Sequence, residues 1–179
     1  MMGHGSSIHF RSKIGSRFAV VTAVETLDTF FERQIIEFFN ISQYKDVIRY
    51  SLPKILVHSW IDKVTEHVEK FPFTQKEIQL LIKKNIDNQI IEKLLNDPKI
   101  AYGSTLIVAI LIDKFIIFFQ IGDGNILTVD HTGNIFCPLN DVQVDEINPN
   151  SIISLNQTAS LSMNSSWLEF KTRINSLIY

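Results

Sequence analysis

The chain has 179 residues, of which 45% are apolar and 20% charged, with a formal net charge of −2. That length fits one domain with a substantial core, and so small a charge offers no global field to recruit nucleic acid or an anionic membrane. A single cysteine, Cys137, rules out an internal disulfide and suits a reducing, cytoplasmic setting.

The N-terminus is polar and lacks an apolar h-region, so no signal peptide is expected. Gly3-His4-Gly5 places a histidine between two glycines, approachable as a proton donor or a metal ligand. A frayed chain end is the plain alternative. From about Ser12 to Asn40, apolar residues at Ile14, Phe18, Val21, Val24, Leu27, Phe31, Ile35 and Phe38 fall three and four apart, predicting a long amphipathic helix. Gly15 costs that helix roughly 1 kcal/mol against alanine, which suggests a close approach to another element, such as a sheet.

A second helix is predicted from about Tyr44 to Lys70 on the stripe Ile48, Leu52, Leu56, Trp60, Val64 and Val68. Pro53 predicts a kink or break in it, and Phe71-Pro72 its end. His58, Asp62 and Glu66 share one face of this helix and could line up for a divalent metal, although a solvated face is the commoner outcome. Thr74 precedes Glu77 at capping-box spacing ahead of Ile78, Leu81 and Ile82. A short helix follows at about 88–95, before Asp97-Pro98.

The texture changes at Gly103. Leu106 to Ile112 and Phe115 to Ile121 are almost wholly apolar and rich in branched residues, which reads as strands covered on both faces. Asp113-Lys114 divides them, so neither run can cross a bilayer and a hairpin is expected. Ile126 to Val129 and Asn134 to Phe136, joined by Asp130-His131-Thr132-Gly133, continue the pattern into an antiparallel meander. Gly122-Asp123-Gly124 is the sharpest local feature. Its glycines uncover a carboxylate at a strand end, where it suits a hard cation or general base; a plain turn is the alternative. Beyond Pro138 the chain is polar, with a weak strand at about 151–155 and a weak helix at about 167–174. His9 and His131 stand in loops without an evident partner. The expected organisation is one α+β domain over 1–179: a helical part at about 12–96, an antiparallel strand part at about 103–137, and a polar tail at 138–179.

Several of these pieces fall in a recognisable order. Gly3-His4-Gly5-Ser6-Ser7 leads into Phe10-Arg11-Ser12 and Ile14-Gly15-Ser16-Arg17-Phe18-Ala19-Val20. Then come Tyr102-Gly103-Ser104-Thr105-Leu106, Ile121-Gly122-Asp123-Gly124, and Thr158-Ala159-Ser160-Leu161. This order resembles the metal-dependent protein serine/threonine phosphatases of type 2C, especially their bacterial-type branch. The resemblance implies a layered α-β-β-α sandwich and a phosphoserine or phosphothreonine protein as substrate. It also implies two Mn2+ or Mg2+ ions that activate a water for attack on phosphorus. Carried across, Gly3 is a metal ligand through its carbonyl, His4 the general acid, and Asp123 a ligand to a further, weaker metal.

The pattern departs at Met2, which stands where the family has its bridging aspartate; a thioether is a poor ligand for hard cations. The family's upstream strand and its downstream acidic ligands have no counterpart in the sequence. The expectation is therefore a partial phosphatase-like domain, truncated at both ends and lacking turnover. Exposed strand edges would invite self-association or a partner chain. The rivals are a non-catalytic module that binds a phosphoprotein or another partner, and an unrelated α+β interaction domain.

Overall fold

The structure is a computed structural model, and it describes residues 7–32, 41–139 and 158–177. Helix α1 spans Ser12–Glu32 and buries Gly15, Ala19, Thr22, Ala23, Leu27 and Phe31. The predicted stripe lies close to this face, although Val21 and Val24 are exposed. Positions 33–40, where the sequence predicts more helix, lie outside the described residues.

Helix α2 (Ile41–Asp46) runs through a π turn at Val47–Ser51 into α3 (Leu52–Lys70). Pro53 falls in the first turn of α3, so the predicted kink or break takes the form of this wide turn. Proline has no N–H to donate and crowds the carbonyl four residues back. A π turn relieves that crowding without ending the helix. The Leu52 N–H donates to the Val47 carbonyl, and Ile48, Leu52 and Leu56 remain buried on one side.

At Phe71 the helix stops, its N–H donating to the His67 carbonyl at 2.8 Å. The capping box is present as predicted. Thr74 N–H donates to Glu77 Oε2 (2.7 Å), Glu77 N–H donates to Thr74 Oγ1 (3.2 Å), and α4 (Gln75–Lys83) begins. Asp87 caps α5 (Asn88–Asn96), and a 3-10 turn at Pro98–Tyr102 leads to the sheet.

Strands β1 (Leu106–Ile112) and β2 (Phe115–Ile121) form the expected hairpin, with Ile112 opposite Phe115. Asp113 sits in the left-handed region (φ 47°), as a two-residue turn that follows strand twist requires. The meander does not continue. The second neighbour of β2 is β5 (Lys171–Ser176), in strand order β1-β2-β5. Strands β3 (Thr128–Val129) and β4 (Ile135–Phe136) make a separate two-stranded ribbon. The glycines at 122 and 124 turn the chain off the sheet before β3. The helix expected at 167–174 is instead a 3-10 turn at Ser166–Glu169 followed by β5. Thr172 and Ile174 pair with Phe119 and Ile117, so a period of two governs this segment and β2 supplies the missing hydrogen bonds. The expected strand at 151–155 lies outside the described residues.

One apolar core joins α1, α3, α5 and the inward face of the sheet, with Trp60, Tyr102, Ile117 and Phe119 fully buried. Side chains of that size contribute about 2–3 kcal/mol each by leaving water. The outward face differs from expectation. In β2 it is closed, with Phe118 1% exposed beside the ribbon, while in β1 Ile107 and Leu111 stand open at 46% and 67%. The two-residue strands of the ribbon are too short to cover both.

The closest approach of helix and turn is at Gly15. A Cβ there would lie 1.8 Å from the Tyr102 carbonyl oxygen, and the Gly15 carbonyl accepts Trp60 Nε1–H at 2.9 Å. The glycine was expected to permit a close approach, and its neighbour is the 3-10 turn before β1 rather than the sheet itself. Among the described residues no helix is long and apolar enough to cross a membrane.

Candidate functional site

Three separate segments meet at one end of the β1–β2 hairpin. The first is the run into β1, Gly103-Ser104-Thr105. The second is the turn after β2, Gly122-Asp123-Gly124. The third is Thr158 to Leu161, which arrives from the far part of the chain. Ser104 and Ser160 join the first and third. Leu161 N–H donates to the Ser104 carbonyl (2.9 Å), Ser104 N–H donates to Ser160 Oγ (3.0 Å), and Ser160 Oγ–H reaches the Ser104 carbonyl (3.1 Å). The glycine turn is held just as closely. A Cβ on Gly122 would lie 2.2 Å from Thr105 Cγ2 and 3.0 Å from the Ala159 carbonyl oxygen. Gly122 and Gly124 both take positive φ, 96° and 120°, which side chains disfavour.

Beneath this turn lies Gln120, 5% exposed. Its side-chain amide donates to the carbonyls of Gly124 (2.7 Å) and Gly122 (3.2 Å). The sequence reading missed this residue. The available signal was a lone amide closing an otherwise apolar strand, FIIFFQI. Clamped from below and walled by Thr105 and Ala159, the turn holds the Asp123 carboxylate in solvent. It has no hydrogen bond or ion pair to any described residue. Asp123 is therefore presented outward and does not cap its own turn.

Gly3 and His4 lie outside the described residues. The chain that leads from them does not. His9 Nδ1 meets the Ile100 carbonyl at 2.5 Å, and a Cβ on Gly103 would lie 2.5 Å from the same ring atom. Arg11 N–H donates to the Ala101 carbonyl at 2.8 Å. The described start of the chain thus runs against the entry to β1.

Arg11 fixes that run. Its guanidinium is 7% exposed and forms a two-pronged pair with Glu77, Nε to Oε1 at 2.9 Å and Nη2 to Oε2 at 3.0 Å. It also donates to the carbonyls of Phe71 (2.6 Å) and Pro72 (3.0 Å) and to Tyr102 Oη (2.7 Å), and it packs over the Phe73 ring. Hydrogen bonds from Arg11 hold the Glu77 carboxyl down at about 2. Burial opposes the charge on Arg11, but the bonds to Glu77 and Tyr102 outweigh it and raise its pKa. His67 Nδ1 meets Tyr102 Oη at 2.8 Å; burial, then the nearby Arg11 charge, lowers the His67 pKa. The same burial raises that of Tyr102. All of this charge is consumed internally.

The remaining candidates do not assemble. His58 lies against the Trp167 ring, 5.5 Å between centroids, while Asp62 and Glu66 are exposed. His131 is exposed at the ribbon turn, where Asp130 is occupied by Thr132 and Asn134. Among the described residues no three His, Cys, Asp or Glu side chains come together as a metal cage. A pair of hard divalent cations needs several oxygen ligands around it, and Asp123 is one. The described donor set thus falls short of a two-ion centre.

The arrangement defines an α+β domain with a glycine-framed carboxylate beside a Gly-Ser-Thr strand entry. A family model for protein phosphatase 2C matches residues 2–177, and the chain belongs to that family. No curated protein and no solved structure matches it.

Proposed function

We propose that this protein phosphatase 2C domain engages phosphoserine or phosphothreonine proteins in the cytoplasm without metal-dependent turnover of its own. The observation that carries the reading is chemical. Among the described residues, the corner formed by Gly103-Ser104-Thr105, Gly122-Asp123-Gly124 and Thr158 to Leu161 offers one outward carboxylate, Asp123, and Met2 supplies a thioether where the resemblance calls for a bridging aspartate. Gly3 and Asp123 remain the candidate ligands for Mn2+ or Mg2+, and His4 the candidate acid. The rigid turn supports the presentation of Asp123, since Gln120, Thr105 and Ala159 hold the backbone that carries it.

The test compares the native chain with Met2→Asp. Calorimetric titration with Mn2+ is expected to show weak or no binding for the native chain and clearly tighter binding for the variant. Hydrolysis of p-nitrophenyl phosphate by the native chain should be independent of Mn2+. A Mn2+-dependent rate in the native chain that Asp123→Ala abolishes would overturn the proposal.

A further inference from the structure

The three-stranded sheet has two edges, and the chain treats them differently. At one edge β5 carries Lys171, Arg173 and Asn175, residues of the kind that discourage a further strand. At the other edge stands β1, which among the described residues pairs only with β2. Its sequence, Leu-Ile-Val-Ala-Ile-Leu-Ile, has no charge and no proline, and its register with β2 runs unbroken, without a bulge. An edge left open in this way is a template for another strand.

Two observations say which strand. The first is phase. Ile112 and Phe115 flank the two-residue turn, and residues in those positions bond to each other across the hairpin. Counting back by twos, Ile110, Val108 and Leu106 also bond to β2. The backbone groups of Ile107, Ala109 and Leu111 therefore point to the open edge. The same three residues have exposed side chains, while the other four are buried or half-buried. The second observation is that the strand complements itself. Laid antiparallel to a copy about Ala109, Ile107 stands opposite the partner's Leu111, Val108 opposite the partner's Ile110, and Leu106 opposite the partner's Ile112. Alanine falls at the one position that must face its own twin. Every pair is aliphatic, and the three open residues of each strand can exchange about six backbone bonds in this register.

From this pattern we propose that two copies of the chain join β1 to β1, antiparallel about Ala109, into one continuous sheet of order β5-β2-β1-β1-β2-β5. Both ends of that sheet are the guarded strand β5, so assembly closes at the dimer. An edge about 23 Å long and about 10 Å thick buries roughly 230 Å² per partner, against roughly 800 Å² in a standard interface. The dimer is therefore weak and reversible, with a Kd on the order of 100 μM. This goes beyond the reading of the Asp123 corner, since it needs neither metal nor phosphoprotein.

Sedimentation velocity of the full chain in EDTA, from about 5 to about 500 μM, tests the proposal. The native chain should shift from monomer to dimer and go no further. Ala109→Lys and Ala109→Glu each set like charges directly opposite and should weaken the dimer severalfold. Mixed in equal amounts, the two variants should pair at least as tightly as the native chain, because only Ala109 meets its own twin. That recovery also shows that both variants fold. Ala109→Pro removes two of the backbone bonds and should weaken the dimer at least about tenfold. Its missing N–H faces the open edge, so the monomer should keep its far-ultraviolet dichroism. Ile135→Lys on the ribbon, where Ile135 is 66% exposed, should leave the dimer unchanged. A native chain that stays monomeric throughout would overturn the proposal, and would mean that another strand, from this chain or a different protein, takes the edge. Species larger than a dimer, a mixture that fails to pair, or an equal loss in Ile135→Lys would overturn it too. EDTA removes metal-dependent chemistry, so a failure here is independent of the Met2→Asp comparison.

Discussion

The Arg11–Glu77 pair and the Asp123 turn are two charged regions that the same fold treats in opposite ways. At Arg11 five hydrogen bonds satisfy the guanidinium inside the protein, and the partner carboxylate also caps a helix. At Asp123 the fold fixes the backbone and leaves the carboxylate without a partner among the described residues. The contrast separates charge used to build the domain from charge offered by it. A strongly shifted pKa is by itself a poor guide to function here, because the carboxyl held at about 2 belongs to the structural region.

The sharpest break of that contrast is Glu77→Ala beside Asp123→Ala. Removing Glu77 leaves a buried guanidinium without its counter-charge and takes away the side-chain half of the capping box of α4, with an expected cost of about 3 kcal/mol in urea unfolding. Asp123→Ala should change stability by less than about 0.5 kcal/mol. If both variants unfold alike, the division between the two regions is wrong.

Acid should act on the first region in the same sense, with a smaller effect. Glu77 titrates near 4.5 when unfolded and at about 2 when folded. Its contribution is therefore complete above 4.5 and is lost as pH falls toward 2. Allowing for solvent screening at this partly exposed group, the loss is on the order of 2 kcal/mol. His67, also lowered in the fold, acts in the same direction starting near its unfolded value of 6.5. Urea midpoints measured from pH 7 to pH 2 should fall monotonically, and the part due to Glu77 should vanish in Glu77→Ala.

The smallest expected effect sharpens the second region. Gln120→Met keeps the volume and removes two hydrogen bonds to the turn, for about 1 kcal/mol. Amide exchange at residues 122–125 should quicken while α4 is unchanged. Protection that stays the same would mean that Thr105 and Ala159 hold the turn without the amide.

Local features were legible in the sequence. The Thr74–Glu77 box, the Asp113-Lys114 hairpin and the stop at Phe71 depend on residues within a few positions, and each formed as read. The Gly122–Gly124 turn was also visible, but its support was not, since Ala159 lies far along the chain. Arg11 and Glu77 are 66 positions apart, so the capping glutamate gave no sign of its second partner. Strand β5 was misread because Lys-Thr-Arg-Ile-Asn-Ser has a weak intrinsic preference and takes its shape from pairing with β2. Apolar residues at every position of β1 predict a strand covered on both faces, whereas Ile107 and Leu111 are open.

The contact at Gly15 sets how the domain comes apart. The first helix and the 3-10 turn before β1 meet there backbone to backbone, and the third helix joins them through the Trp60 indole bonded to the Gly15 carbonyl. None of the three can drift without breaking the same joint. Heating should therefore release them together, as a single melting step in which helical ellipticity and tryptophan fluorescence change at the same temperature.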